Sequence, residues 1–298
     1  MATKLLAKLL FLGLAALAGC SRSPEQQPKI DLETDLDSAR ALSAQSSKPS
    51  SAATLDELLL FYPSKYPEGN WKPQGLTYEN AWFDAEDGTR LHGWYCPCAK
   101  ARAVLLYAHG NAGNLSYLTP LLIYFQKELQ VSVLVFDYRG YGRSEGVPSV
   151  EGVLQDARAA RSHLAQLAEV ETSQIVLMGR SLGGAVVAQL AGETKPRGLI
   201  LESTFSSFRD VAEHHYPRLA WLVPESKLNS LAALSRYDGP LLQSHGDADR
   251  TVPYDLGLRL FDKVKGPKHF VRISGGDHND PQSAEYFRSL DRFIADLP

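Results

Sequence analysis

Two stretches of the chain place glycines around a serine in the spacing Gly-x-Ser-x-Gly: Gly142-Arg143-Ser144-Glu145-Gly146 and Gly179-Arg180-Ser181-Leu182-Gly183. A serine hydroxyl becomes a useful nucleophile when a neighbouring base takes its proton and the backbone holds it clear of the surrounding structure. A sharp strand-to-helix turn meets the second need, and it is so tight that small residues must stand two positions away on each side. Context separates the two serines. Ile175-Val176-Leu177-Met178 runs directly into Ser181, and Leu182-Gly183-Gly184-Ala185-Val186-Val187-Ala188 leads out as a helix. Ser144 stands several residues past its strand-like run and is followed by Val147-Pro148, which favours a loop. Ser181 is the candidate nucleophile, and Ser144 reads as a residue of a glycine-rich loop.

A base and an acid must accompany the serine, the acid coming first along the chain. The penultimate strand-like run is followed by His245-Gly246-Asp247-Ala248-Asp249-Arg250, and the last by Gly275-Gly276-Asp277-His278-Asn279-Asp280. Of the eight histidines, only His278 lies on a loop after the final strand; His92, His163, His214 and His215 fit surface or packing roles. His278 is therefore the candidate base, returning the proton to the leaving group. Asp249, Asp247 and Glu202 are the candidate acids. The developing oxyanion needs two backbone N–H donors, one from the residue after the nucleophile and one from the loop after the third strand. Leu182 is the first, and in His109-Gly110-Asn111-Ala112-Gly113-Asn114 the second is Asn111, with Ala112 as its rival.

These loops need a scaffold that gathers strand ends. From residue 76 onward short β-type runs alternate with longer helical ones, the pattern of a mainly parallel sheet covered on both faces. Leu76 to Phe83 and Arg90 to Tyr95 flank an Asp87-Gly88 hairpin signal, so the sheet is expected to open antiparallel. Ala103–Tyr107, Val131–Phe136, Ile175–Met178, Leu199–Leu201, Pro240–Gln243 and Phe270–Ile273 read as buried strands. Helical spacing joins Leu118, Leu121, Leu122, Phe125 and Leu129. It also joins Val150, Val153, Leu154, Ala157 and Leu164, with Ser149 as N-cap, and Phe287, Leu290, Phe293, Ile294 and Leu297 at the end. Some 38 residues separate the strand at Leu201 from that at Pro240, more than a connection needs, and a small cap is expected at about 203–238. Its aromatics, Phe205, Phe208, Tyr216 and Trp221, would serve an acyl pocket or simply pack the cap.

The chain has 298 residues, 44% of them hydrophobic and 22% charged, enough for one large domain plus additional segments. A formal charge of −3 with no basic stripe argues against nucleic acid as a partner. Lys4 and Lys8 precede an apolar run from Leu9 to Ala18 that ends in Leu17-Ala18-Gly19-Cys20. The run is too short for a comfortable membrane span and reads as a secretory signal over residues 1–19. Residues 21–53, rich in Ser, Pro, Gln and Ala, read as a tether, and the domain itself is expected over 54–298. Cys96 and Cys98 sit at i,i+2, near the limit of disulfide reach, and read as two ordinary thiols.

The motifs carry a resemblance. From about residue 76 to 297 the chain resembles an α/β-hydrolase, through His109-Gly-Asn-Ala-Gly-Asn, Asp137-Tyr-Arg-Gly-Tyr-Gly-Arg-Ser, Gly179-Arg-Ser-Leu-Gly-Gly, Glu202-Ser-Thr-Phe and Gly276-Asp-His-Asn-Asp. They are similar to those of the branch that includes the acyl-protein depalmitoylases and many bacterial hydrolases. The resemblance implies a mostly parallel eight-stranded sheet, a cofactor-free ester or thioester hydrolase, and Asp249 as the acid, three residues after the glycine of His245-Gly246. Leu17-Ala18-Gly19-Cys20 resembles the lipobox of bacterial lipoproteins. That likeness implies cleavage before Cys20, acylation of this cysteine and a lipid-anchored place in the bacterial cell envelope. Cleavage would leave a formal charge of −5, and Ser21 after the cysteine implies the outer membrane in a Gram-negative host. A peptidase on the same scaffold, or an envelope lipoprotein that binds without catalysis, are the competing expectations.

Overall fold

The computed structural model describes residues 60–298; the signal, the lipobox at Cys20 and the tether expected over 21–53 lie outside the described residues. Within them, eight strands form one sheet: β2 (Glu79–Asp84), β3 (Arg90–Cys96), β4 (Val104–Ala108), β6 (Ser132–Asp137), β7 (Ile175–Arg180), β8 (Gly198–Glu202), β9 (Leu241–Gly246) and β10 (Lys268–Ile273). Their spatial order is β10-β9-β8-β7-β4-β6-β3-β2. The pairs β2–β3 and β3–β6 are antiparallel and the remaining pairs parallel. The Asp87-Gly88 turn closes the first hairpin, with Gly88 at φ +83°. The chain leaves β4 first toward β6 and then returns to lay β7 on its other side. The sheet therefore reverses at β4, and its strand ends open there into a crevice.

Alternate residues of the inner strands feed two separate cores. Leu106, Leu134, Phe136, Leu177, Leu199 and Leu201 pack toward α2 (Val150–Leu167), α3 (Leu182–Glu193) and α6 (Tyr254–Lys263). Leu105, Tyr107, Val133, Val135, Val176, Met178 and Ile200 pack toward α1 (Thr119–Lys127) and α7 (Ala284–Ala295). Burial on both faces is why these strands read as continuous apolar runs rather than alternating ones. Two helices begin with serine caps: Ser149 and Ser283 accept the N–H of Gly152 and Tyr286 at the starts of α2 and α7. Tyr286, Leu290 and Ile294 form the buried stripe of α7.

The strand ends match the sequence expectation at Arg90, Ile175 and Ile273 and elsewhere differ by one to three residues, β2 starting at Glu79 rather than Leu76. Residues 203–240, between β8 and β9, hold α4 (Phe208–His215), a 3-10 turn at Ala220–Leu222 and the short α5 (Ser230–Leu234). Phe205 and Phe208 are buried in packing, whereas Trp221 stands out into solvent. The small second sheet was not foreseen from the sequence: in it β1 (Tyr62–Pro63) pairs in parallel with β5 (Ala112–Gly113) and ties the start of the domain to the loop after β4. The apolar run Leu58 to Tyr62 was its only signal. Cys96 and Cys98 are free thiols, and burial pushes the Cys96 thiol up to about 12. No described helix is long and apolar enough to cross a membrane.

Candidate active site

Ser181 joins the end of β7 to the start of α3 and holds φ +53° and ψ −118°, a conformation that L side chains rarely adopt. Glycine makes the turn possible. A Cβ on Gly179 would stand 2.2 Å from the carbonyl oxygen of Gly183, and one on Gly183 would stand 2.0 Å from that of Ala108. The turn is held from the next strand, where the Glu202 carbonyl accepts the Ser181 N–H at 2.9 Å, and by Thr204 Oγ1, which donates to the Ser181 carbonyl at 2.7 Å. Because the atoms Gly183 would meet are backbone, Gly183→Ala is expected to cost about 2–4 kcal/mol of stability. Urea unfolding of the variant against the parent checks this.

His278 and Asp249 come to the same place from the loops after β10 and β9. His278 Nε2 lies 3.0 Å from Ser181 Oγ, and His278 Nδ1 lies 2.8 Å from Asp249 Oδ2. A carboxylate only accepts, so Nδ1 carries the hydrogen and Nε2 presents its lone pair to the serine hydroxyl. Asp249 Oδ1 accepts the N–H groups of Thr251 and Val252 at 2.9 and 2.7 Å, and His245 Nε2 lies 3.3 Å from Oδ2. Burial pushes the Asp249 carboxyl up. The hydrogen bonds from His245, His278 and Val252 outweigh it and hold the group well below the ordinary carboxylate range.

The other candidate acids are elsewhere. Asp247 is bound to Arg272 and to the Gly275 N–H, and braces the loops after β9 and β10. Glu202 is buried in β8, in register with Arg180 of β7. Ser144 is buried and serves packing: its hydroxyl donates to the Asp137 carbonyl at 2.7 Å and accepts the His92 N–H at 2.9 Å.

Leu182 opens α3, where first-turn N–H groups have no intrahelical acceptor. On the opposite side, a Cβ on Gly110 would lie 3.8 Å from that of Ser181. His109 Nδ1 bonds the Gly110 carbonyl at 2.7 Å, so across that planar trans peptide the Asn111 N–H points away from the buried His109 ring. The Asn111 carbonyl is fixed in turn by Tyr141 Oη at 2.6 Å and by the Tyr62 N–H at 3.1 Å. Tyr62 and Tyr141 were missed by sequence reasoning, although Tyr141 belongs to the Asp137-Tyr-Arg-Gly-Tyr stretch already singled out. Segment 203–240 reaches this mouth, since His215 Nε2 donates to the Thr251 carbonyl at 2.8 Å. Among the described residues no group of three His, Cys, Asp or Glu side chains could hold a metal ion. An open groove of about 660 Å³, lined in part by Pro240, Lys268, His269 and Arg292, lies at the opposite, N-terminal ends of β9 and β10, away from Ser181.

Comparison with known proteins agrees with the fold. A family model described as serine aminopeptidase, S33 matches residues 99–238, a span that contains Ser181 and stops before Asp249 and His278. The chain is 36% identical over 226 residues to YfhR of Escherichia coli K12, covering 72% of this chain and 78% of that one. It is 40% identical over 227 residues to the α/β hydrolase domain-containing protein WAV2 of Arabidopsis thaliana, covering 69% and 73%. An esterase of Pyrococcus furiosus superposes with a TM-score of 0.66 at 20% identity, over 80% of this chain and 98% of that one. An acetyl xylan esterase of Paenibacillus superposes with a TM-score of 0.60 at 21% identity, over 92% and 98%. At such identities the structural likeness speaks for the fold. The sequence relatives go further: the chain belongs to the α/β-hydrolase family, to which WAV2 belongs by its description.

Proposed function

We propose that this protein hydrolyses a carboxylic ester or thioester through an acyl-Ser181 intermediate. The observation that carries the reading is the hydrogen-bonded series Ser181–His278–Asp249, at 3.0 and 2.8 Å, ending on a serine in a left-handed turn at a helix start. His278 Nε2 takes the Ser181 proton as Oγ adds to the substrate carbonyl carbon. The oxygen of the tetrahedral intermediate takes N–H bonds from Leu182 and Asn111, donors that need no rearrangement as charge develops. His278 then gives its proton to the departing alkoxide or thiolate. Water, deprotonated by the same imidazole, releases the acid and restores Ser181. Asp249 stays ionised, holding the imidazole in the required tautomer and stabilising its cation.

The description of the matching family model as a serine aminopeptidase favours one second reading, hydrolysis of a peptide bond by the same groups. A panel of p-nitrophenyl acyl esters, acyl thioesters and amino-acid p-nitroanilides separates the two. Turnover of esters or thioesters in preference to anilides supports the first reading, and the reverse preference replaces it. Turnover of none of them, together with an unreactive Ser181, points to a binding protein on a hydrolase scaffold.

The setting we propose comes from the sequence before residue 60. Acylation at Cys20 would anchor the domain to a bacterial envelope membrane, in a Gram-negative host the outer membrane facing the periplasm, with residues 21–53 as the tether. More than one acyl chain on a terminus is enough for stable attachment. Cys20→Ala is accordingly expected to abolish labelling by radioactive palmitate in cells and to move the protein out of the membrane fraction. A variant that stays labelled and sedimenting contradicts the anchor.

A further inference from the structure

The proposed mechanism gives no task to the buried carboxyl of Glu202. Glu202 is 2% exposed, and its carboxyl lies among Arg180 and the buried hydroxyl-bearing rings of Tyr286 and Tyr107. A carboxylate taken out of water costs several kcal/mol unless a cation and hydrogen bonds compensate it. Arg180 is the cation beside it, on the neighbouring strand in direct register. The same guanidinium reaches past the sheet: Arg180 Nη2 donates to the backbone carbonyl of His278 at 2.6 Å.

This contact fastens the backbone carbonyl of His278 itself. Asp249 holds the imidazole ring at Nδ1. Arg250 holds Asp277, and Asp247 holds the Gly275 N–H. The main chain at His278 is held by its own N–H on Asp277 Oδ1 and by its carbonyl on Arg180. Arg180 also immediately precedes Ser181, whose N–H is bonded to the backbone carbonyl of Glu202. One pair of residues thus links the nucleophile's turn to the histidine's backbone.

We propose that Arg180, braced by Glu202, is a positioning residue that sets the distance from His278 to Ser181. The inference rests on the Ser181 reading above. A misplacement of about 1 Å in a reacting group costs about 10²-fold in rate, and an arginine's planar fork fixes the direction of its N–H bond to the His278 carbonyl where a flexible lysine ammonium does not. The Glu202 carboxyl lies beside the arginine, in register on the neighbouring strand, and touches neither reacting group.

The test uses the full chain and p-nitrophenyl butyrate. The double variant Arg180→Met/Glu202→Gln replaces the whole buried pair with uncharged side chains of similar length, so no lone charge stays behind. Its kcat is expected to fall about 10- to 100-fold with KM within about threefold of the parent, as a misaligned base would do. Arg180→Lys is expected to fall between the two with KM unchanged, and it decides the matter alone if the double variant does not accumulate. A kcat at the parent level in these variants, or a loss confined to KM, overturns the inference. If Ser181→Ala is inactive and the arginine variants are normal, only this inference falls; if Ser181→Ala is fully active, the underlying reading falls with it.

Discussion

Ser181→Ala is expected to lower kcat/KM for p-nitrophenyl butyrate by a factor of about 10³ to 10⁶. The hydroxyl 3.0 Å from His278 Nε2 is the atom proposed to form the acyl bond, and alanine offers nothing in its place. Residual turnover would come from backbone donors acting on water. The fold should tolerate the change, because the turn is held by backbone bonds from Glu202 and by Thr204 rather than by the serine side chain. A melting temperature within a few degrees of the parent, beside the lost turnover, separates chemistry from unfolding. Ser144→Ala is the control for the second Gly-x-Ser-x-Gly stretch and is expected to keep its turnover number, since Ser144 Oγ is spent on Asp137 and His92.

Asp249→Asn should cost about 10⁴-fold in kcat. The amide can present its NH₂ to His278 Nδ1, which favours the tautomer with the hydrogen on Nε2, pointing at the serine instead of accepting from it. Stability should change with it. The folded carboxyl sits below its ordinary pKa, so the stability it adds is present above about pH 4 and is lost as pH falls through the lower folded value. Acid should therefore destabilise the parent as pH falls below about 4, and Asp249→Asn, less stable at neutral pH, should flatten this part of the stability curve. Turnover and urea unfolding measured between pH 3 and 7 check both effects. A kcat within tenfold of the parent contradicts the assignment of the acid.

Much of this site could be read from the chain because its parts are local. A strand, a small-residue turn and a helix are contiguous around Ser181, and Gly179 and Gly183 show in the structure why no larger residue fits. The loop position of His278 followed from chain order and strand ends, as did the loop carrying Asp247 and Asp249, while the choice of Asp249 came from the resemblance. What the sequence could not reveal is which side chains from distant elements converge on a loop. Tyr141 comes 30 residues after Asn111 and Tyr62 some 50 before it, yet both fix its carbonyl. Arg180 carried no role in the sequence reading beyond its place in Gly-x-Ser-x-Gly, and Glu202 only that of a rival acid. Their meeting with the His278 carbonyl depends on β7 and β8 lying side by side, a long-range pairing. The first strand start slipped by three residues because Leu76 is buried against the second core while still outside the ladder.

The most direct test of the central claim is covalent. The full-length protein treated with a fluorophosphonate and digested should yield one phosphonylated peptide, with the adduct on Ser181. Labelling should vanish in Ser181→Ala and slow sharply in His278→Ala, since the hydroxyl needs its base to attack phosphorus. An adduct on Ser144, or no adduct in folded protein, would contradict the account.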